Sequence, residues 1–141
     1  MKYKDLTEKI IGAAYAVYNT LGWGFLEKVY ENALVIELRK ICFKVVQQAP
    51  INVYYDGVVV GEYLADPLVE DKVIVELKAI KALSEVHEVQ LVNYLAATPI
   101  EVGLLLNFGE ELEIKRKVFD NERKKIRADL CESVSKKDDS L

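Results

Sequence analysis

A chain of 141 residues, 51% hydrophobic and 30% charged, fits one globular domain with a real core rather than a disordered polymer. Its net charge of −4 argues against a broad nucleic-acid surface built on Lys and Arg, although residues 115–127, "KRKVFDNERKKIR", form a local basic run. No apolar run approaches the ~20 residues needed to span a bilayer, and "MKYKDLTEK" lacks the apolar stretch of a signal peptide, so the expected location is the cytoplasm. Cys42 and Cys131 stand far apart beside a lone His87, which argues against a zinc site and for free thiols.

The first element in chain order is a helix over "DLTEKIIGAAYAVYNTLG", with Leu6, Ile10, Ala13, Ala14, Val17 and Leu21 at helical spacing. Asp5 and Glu8 suggest a capping box, and Gly22 suits the helix end. A second helix, "FLEKVYENALVIELRKI", follows the turn at "GWG". Residues 43–57 and 58–69 read as two strands joined at Asp56-Gly57, and "KVIVELKAI" reads as the third strand. A helix capped by Ser84 leads to "EVGLLLNFG", apolar enough for a central strand covered on both faces, and then to an alternating edge strand, "ELEIKRKVF". The tail from residue 120 is charged and is expected to be partly helical or disordered. This order, ααβββαββ, predicts an α/β fold: a mixed five-stranded sheet, antiparallel at first and parallel across the strand–helix–strand crossover, flanked by helices on both faces.

The third strand carries Glu76 and Lys78 in an apolar setting, where unpaired charge is costly. Two residues apart, they share a face. Asp66 lies on the neighbouring strand, and its position depends on the connecting loop. A three-residue loop, Glu70 to Lys72, sets Asp66 opposite Glu76, whereas a two-residue loop throws them onto opposite faces. In the first case two carboxylates and an ammonium meet, and a divalent cation such as Mg²⁺ or Mn²⁺ offsets their repulsion. Lys78 beside it would orient or deprotonate water, or neutralise a phosphoryl oxygen, which is the chemistry of phosphodiester hydrolysis. The alternative is that Glu76 and Lys78 are a structural pair at a sheet end, with Asp66 solvated in a loop.

Polar groups also gather on two helices. His87, Gln90 and Tyr94 follow at i, i+3 and i+7 on the helix after the third strand. Glu27 and Tyr30 lie one turn apart on the second helix, with Glu31 following.

In this order Asp66, Glu76-x-Lys78 and Gln90-x-x-x-Tyr94 resemble the PD-(D/E)XK nuclease superfamily, in particular its RecB-like branch with a Q-x-x-x-Y helix. "GFLEKVYENAL", containing Gly24, Glu27 and Tyr30, together with "VELKA", "QLVNYL" and "GLLLNFG", is similar to the small prokaryotic GxxExxY proteins of that superfamily. The resemblance implies a three-layer α/β/α restriction-endonuclease-like domain over residues 1–119, followed by the extension at 120–141. It implies a Mg²⁺ or Mn²⁺ site held by Asp66, Glu76, the Leu77 carbonyl and Glu27, with Lys78 as catalytic lysine. Gln90 and Tyr94 are expected at the substrate or steadying Lys78, with His87 and Tyr30 also on the substrate side. Pro67, directly after Asp66, departs from the pattern and is expected to make the strand bulge.

Two functions from different classes stand at this point. One is a Mg²⁺-dependent nuclease acting on DNA or RNA. The other is a catalytically silent binding or assembly module. A homodimer using Trp23, Phe25 and the "VYY" stretch is a further expectation.

Overall fold

The computed structural model describes residues 1–124, so the basic run is described only in part, and Cys131 with most of the charged extension lies outside the described residues. Helix α1 spans Lys4–Leu21 and buries Ile10, Ala13, Ala14 and Val17. The expected Asp5–Glu8 box does not set its start. The helix begins at Lys4, after Tyr3 in the left-handed region, so Asp5 falls in the first turn, where its charge favours the helix end. Gly22 closes α1 at φ 68, as its position suggested. Helix α2, Glu27–Lys40, buries Tyr30, Leu34, Val35 and Leu38 along one stripe, with Glu31 beside them.

Each of the first two expected strands is broken in two. The first becomes β1 (Val45–Val46) and β2 (Ala49–Tyr55), and the second becomes β3 (Val58–Ala65) and β4 (Leu68–Val69). The breaks lie side by side, at Gln47-Gln48 and at Asp66-Pro67. Pro67 has no N–H for a ladder, and Gln48 sits in the left-handed region at φ 52 and donates its N–H to Asp66 Oδ1 instead of to a strand. The expected bulge at Pro67 is therefore a full break. The irregularity in register lies further out, between Val53 and Tyr54. The turn at Asp56-Gly57 is the two-residue hairpin expected, with both residues at positive φ.

Strands β5 (Val73–Lys78), β6 (Val102–Phe108) and β7 (Leu112–Val118) complete a five-stranded sheet of order β1-β4-β5-β6-β7, and β2-β3 forms a separate two-stranded arm. β5 and β6 are parallel, and the other pairs are antiparallel. The sheet is thus mixed and five-stranded, with a composition that differs from the expectation in its first two strands.

Strand alternation sorts the core into two layers. Val73, Val75 and Leu77 of β5 join Val102, Leu104, Leu106 and Phe108 of β6 against α1 and α2. Ile74 and Leu105 face the other way, toward helix α3 (Glu85–Ala97) and the inner residues of the β2-β3 arm, Ala49, Ile51, Tyr63 and Ala65. Gly103 lets α3 approach closely, since a Cβ there would lie 2.7 Å from a Leu91 methyl. All seven residues of β6 are buried, which explains its apolar run. Among the described residues no helix is long and apolar enough to cross a membrane.

Candidate active site

The loop between β4 and β5 has three residues, Glu70 to Lys72, and the register pairs Leu68 with Ile74 and Val69 with Val73. One step further, the Val75 N–H donates to the Pro67 carbonyl, at 2.9 Å. Continued once more, this register brings Asp66 alongside Glu76. Beyond Pro67, however, β3 leaves the sheet with the arm, and β5 loses its strand partner on that side. Glu76 and Lys78 therefore flank an opening in the sheet, and carboxylates of α2, from the opposite layer, reach into the same space. The result is a cavity of about 220 Å³ lined by Glu27, Glu31, Leu64, Asp66, Glu76, Leu77 and Lys78.

Tyr30 explains how α2 is set in place. Its ring is fully buried and stacks on Phe108, with centroids 4.7 Å apart. Its hydroxyl donates to the Gly22 carbonyl at 2.7 Å and accepts the Phe25 N–H at 3.2 Å. Gly24, between them, has φ 110, which only glycine adopts easily. The spacing Gly24-x-x-Glu27-x-x-Tyr30 thus ties down the loop that ends at Glu27. Tyr30 itself does not line the cavity.

Three of the four carboxylates at the cavity, Glu31, Asp66 and Glu76, are paired. Lys28 Nζ lies 3.0 Å from Glu31 Oε2 and 3.8 Å from Asp66 Oδ2, while Lys78 Nζ lies 3.9 Å from Glu76 Oε1. The Gln47 side-chain amide also donates to Glu31, and the Tyr63 hydroxyl donates to Glu76 Oε2. Burial and a hydrogen bond shared with the Glu31 carboxyl push Asp66 up to about 6, against the pull of the Gln48 N–H and Lys28. Burial also works to raise Glu31, but its bonds with Asp66, Lys28 and Gln47 together hold it below the usual range. Glu27 is raised, chiefly by desolvation and further by Glu76 and Glu31, with Lys78 opposing.

The Asp66–Glu31 pair makes stability depend on pH. A carboxyl whose folded pKa is raised binds its proton more tightly when folded, so its stabilisation is full below the unfolded value near 3.8 and fades as pH rises through about 6. The Glu31 shift has the opposite sign and offsets part of this. The metal-free protein should lose on the order of 1 to 2 kcal/mol between pH 4.5 and 7 from this pair. Asp66→Asn should flatten that dependence in urea melts. An equal slope in both proteins would count against the shared proton.

Of the residues expected at the site, Asp66, Glu76, Leu77, Lys78 and Glu27 surround this one cavity. Tyr94 reaches it indirectly, its ring stacked on Tyr63 at 3.9 Å. Gln90 lies exposed one turn earlier on α3, and His87 accepts the Ser84 N–H at 3.1 Å in the capping box that starts that helix. Neither lines the cavity. Glu31 was visible in the sequence, one helical turn after Glu27, but nothing marked it as buried. Tyr63 carried a clearer signal, an aromatic residue three before Asp66 on the inward face of its strand.

The layers and the carboxylate-lined opening are those of a restriction-endonuclease-like α/β protein. A family model described as the PD-(D/E)XK nuclease superfamily matches residues 4–118, and the chain belongs to that superfamily. Members are typically nucleases that use Mg²⁺ or Mn²⁺. No curated protein and no solved structure matches the chain.

Proposed function

We propose that this protein is a Mg²⁺- or Mn²⁺-dependent nuclease that hydrolyses phosphodiester bonds of DNA, with RNA as a second candidate substrate. One observation carries the reading: four carboxylates and Lys78 surround one cavity at the open edge of the sheet. Carboxylates there outnumber the ammonium groups of Lys28 and Lys78 four to two, so these side chains by themselves repel a phosphodiester. Something positive has to enter with the substrate.

The donor set fits a hard divalent cation in type, being carboxylate oxygens and one backbone carbonyl. Asp66 and Glu76 would hold it, with the Leu77 carbonyl and Glu27 completing the set and Glu31 as a further oxygen donor beside Asp66. Among the described residues no three acidic, imidazole or thiol groups already converge on one point. Two lysines, the Gln47 amide and the Tyr63 hydroxyl engage Glu31, Asp66 and Glu76 instead, and the side chains have to turn inward to bind. Bound there, the cation supplies charge neutralisation for the phosphate and lowers the pKa of its water. Lys78, part-exposed and 3.9 Å from Glu76, is free to extend its ammonium toward a phosphoryl oxygen or to orient the attacking water. Gln90, His87 and Tyr94 on α3 would meet the nucleic acid outside the cavity, and Tyr30 would support the site through the loop before Glu27. Within the superfamily we assign the chain to the RecB-like, GxxExxY-type proteins, with a cytoplasmic location.

A catalytically silent binding or assembly module is the second reading, favoured by the net charge of −4 and by the ion pairs that Glu31, Asp66 and Glu76 already make in the cleft. In either case the exposed Trp23, Phe25, Tyr54 and Tyr55 offer surface for a homodimer.

Melting the protein with and without Mn²⁺ tests the site. A bound ion stabilises by mass action, by about 2.7 kcal/mol at a hundredfold excess over Kd. The stabilisation should grow from pH 5 to pH 7 as the Asp66 proton leaves, and Asp66→Ala/Glu76→Ala should abolish it. A shift of equal size in the double variant would remove the metal site.

A further inference from the structure

Glu76 is held by more than its neighbour on the strand. Its Oε1 faces Lys78, while its Oε2 accepts the hydroxyl of Tyr63, which comes from β3 across the opening. Tyr63 is itself held by packing against α3. Its ring is buried against the α3 layer, and it stacks on Tyr94 with centroids 3.9 Å apart and planes 19° apart. Desolvation and the Glu76 charge push the Tyr63 hydroxyl well above the usual tyrosine range, so it remains a proton donor throughout.

The geometry points to Tyr63 as a positioning residue that aims the Glu76 carboxylate into the cavity, a role that rests on the metal-site reading above. A free carboxylate turns easily about its last torsion, whose wells are broad. A donor on a stacked, immobile ring fixes that torsion and dedicates one oxygen, leaving Oε1 for a cation or for Lys78. The β2-β3 arm and α3 thereby act on the cleft through Tyr63, which does not itself line it. Groups that hydrogen-bond a metal-ligating carboxylate commonly contribute 10- to 100-fold to metal affinity.

Tyr63→Phe keeps the ring, the packing and the stack and removes only the donor. We expect its Mn²⁺ Kd, read by calorimetry, to rise at least about tenfold over wild type, with the near-ultraviolet circular dichroism of the fold retained. Cleavage by this variant should recover as Mn²⁺ is raised, which a merely structural defect would not do. An unchanged or tighter Kd overturns the proposal. So does cleavage lost at unchanged Kd, which would move the hydroxyl to the substrate. If wild-type protein takes up no Mn²⁺, the metal site and this inference fall together, whereas an unchanged Kd in Tyr63→Phe removes the inference alone. Should Tyr63→Phe not fold, a fluorotyrosine placed at position 63 of the otherwise native chain reports the same contact. Its fluorine resonance should shift on adding Mg²⁺, and a resonance unmoved at saturation overturns the proposal.

Discussion

Lys78→Ala is expected to lower nucleic-acid cleavage by at least about 100-fold while leaving the fold almost as stable as before. The two halves of that expectation have separate causes. Lys78 and Glu76 are 3.9 Å apart, with side chains 28% and 31% exposed. A long, part-solvated pair of this kind contributes about 1 kcal/mol or less. A fully buried pair would be different, since stripping one partner would cost roughly 3 to 5 kcal/mol. If Lys78 acts on the phosphate, its loss is felt in the transition state, and rate falls without a matching fall in stability. Metal affinity should hold or tighten, because one positive charge fewer competes for the carboxylates. The nuclease and the silent module separate on this variant. A folded, inert Lys78→Ala beside an active wild type supports the enzyme, and an inert wild type with a strongly destabilised Lys78→Ala supports the module.

Asn107→Ala should carry the largest stability cost of any single polar substitution near the cleft. Asn107 is fully buried in β6, directly beside Lys78 in the parallel ladder. Its side chain accepts the Ile80 N–H at 3.0 Å and donates to the Ile80 carbonyl and to Glu113, both at 2.9 Å. Glu113 in turn accepts the Leu83 N–H. One amide therefore satisfies the backbone of the segment that leaves β5 just after Lys78. Removing it takes the partner from the Ile80 N–H and carbonyl, both part-buried, and one of two donors from Glu113. We expect a loss of about 2 to 4 kcal/mol in urea denaturation. A change below about 1 kcal/mol would mean that solvent replaces the amide, and that the segment is not held from below. Because the loop follows Lys78 by two residues, cleavage should fall as well.

Asn107 also illustrates what the sequence left unread. "EVGLLLNFG" announces a buried central strand, and the one polar side chain within β6, Asn107, does not interrupt that pattern. Periodicity reports which face is apolar; it does not report that one amide caps a crossing loop. The helices, the parallel pair and the hairpin turn followed from local signals that tertiary packing reinforced. The division of the first two strands did not, because Gln47 and Gln48 have no strong local preference. They turn out of the sheet only because Asp66 and Pro67 break the neighbouring strand at the same level.

The residues that share the cavity were more legible than the sheet's edge. Glu76 and Lys78 are tied by strand period alone, and a three-residue loop was enough to bring Asp66 alongside. Glu27 entered through its motif spacing, and the buried Tyr30 supplies the physical reason for that spacing. What a linear reading could not supply was the opening itself, through which α2 on one layer meets β5 residues facing the other. That opening recruits Glu31, and it turns Tyr63 from a core aromatic into a partner of Glu76. His87 shows the reverse case: placed at helical spacing with Gln90 and Tyr94, it is engaged in starting the helix.

The most direct measurement is metal-dependent cleavage by the wild-type chain, followed on single-stranded, duplex and branched DNA and on RNA with Mn²⁺, Mg²⁺ or chelator. The account predicts degradation of at least one DNA substrate that requires the cation and disappears in both Asp66→Ala and Lys78→Ala. Wild-type protein that binds Mn²⁺ yet leaves all four substrates intact, or degradation that persists in those variants, would contradict it.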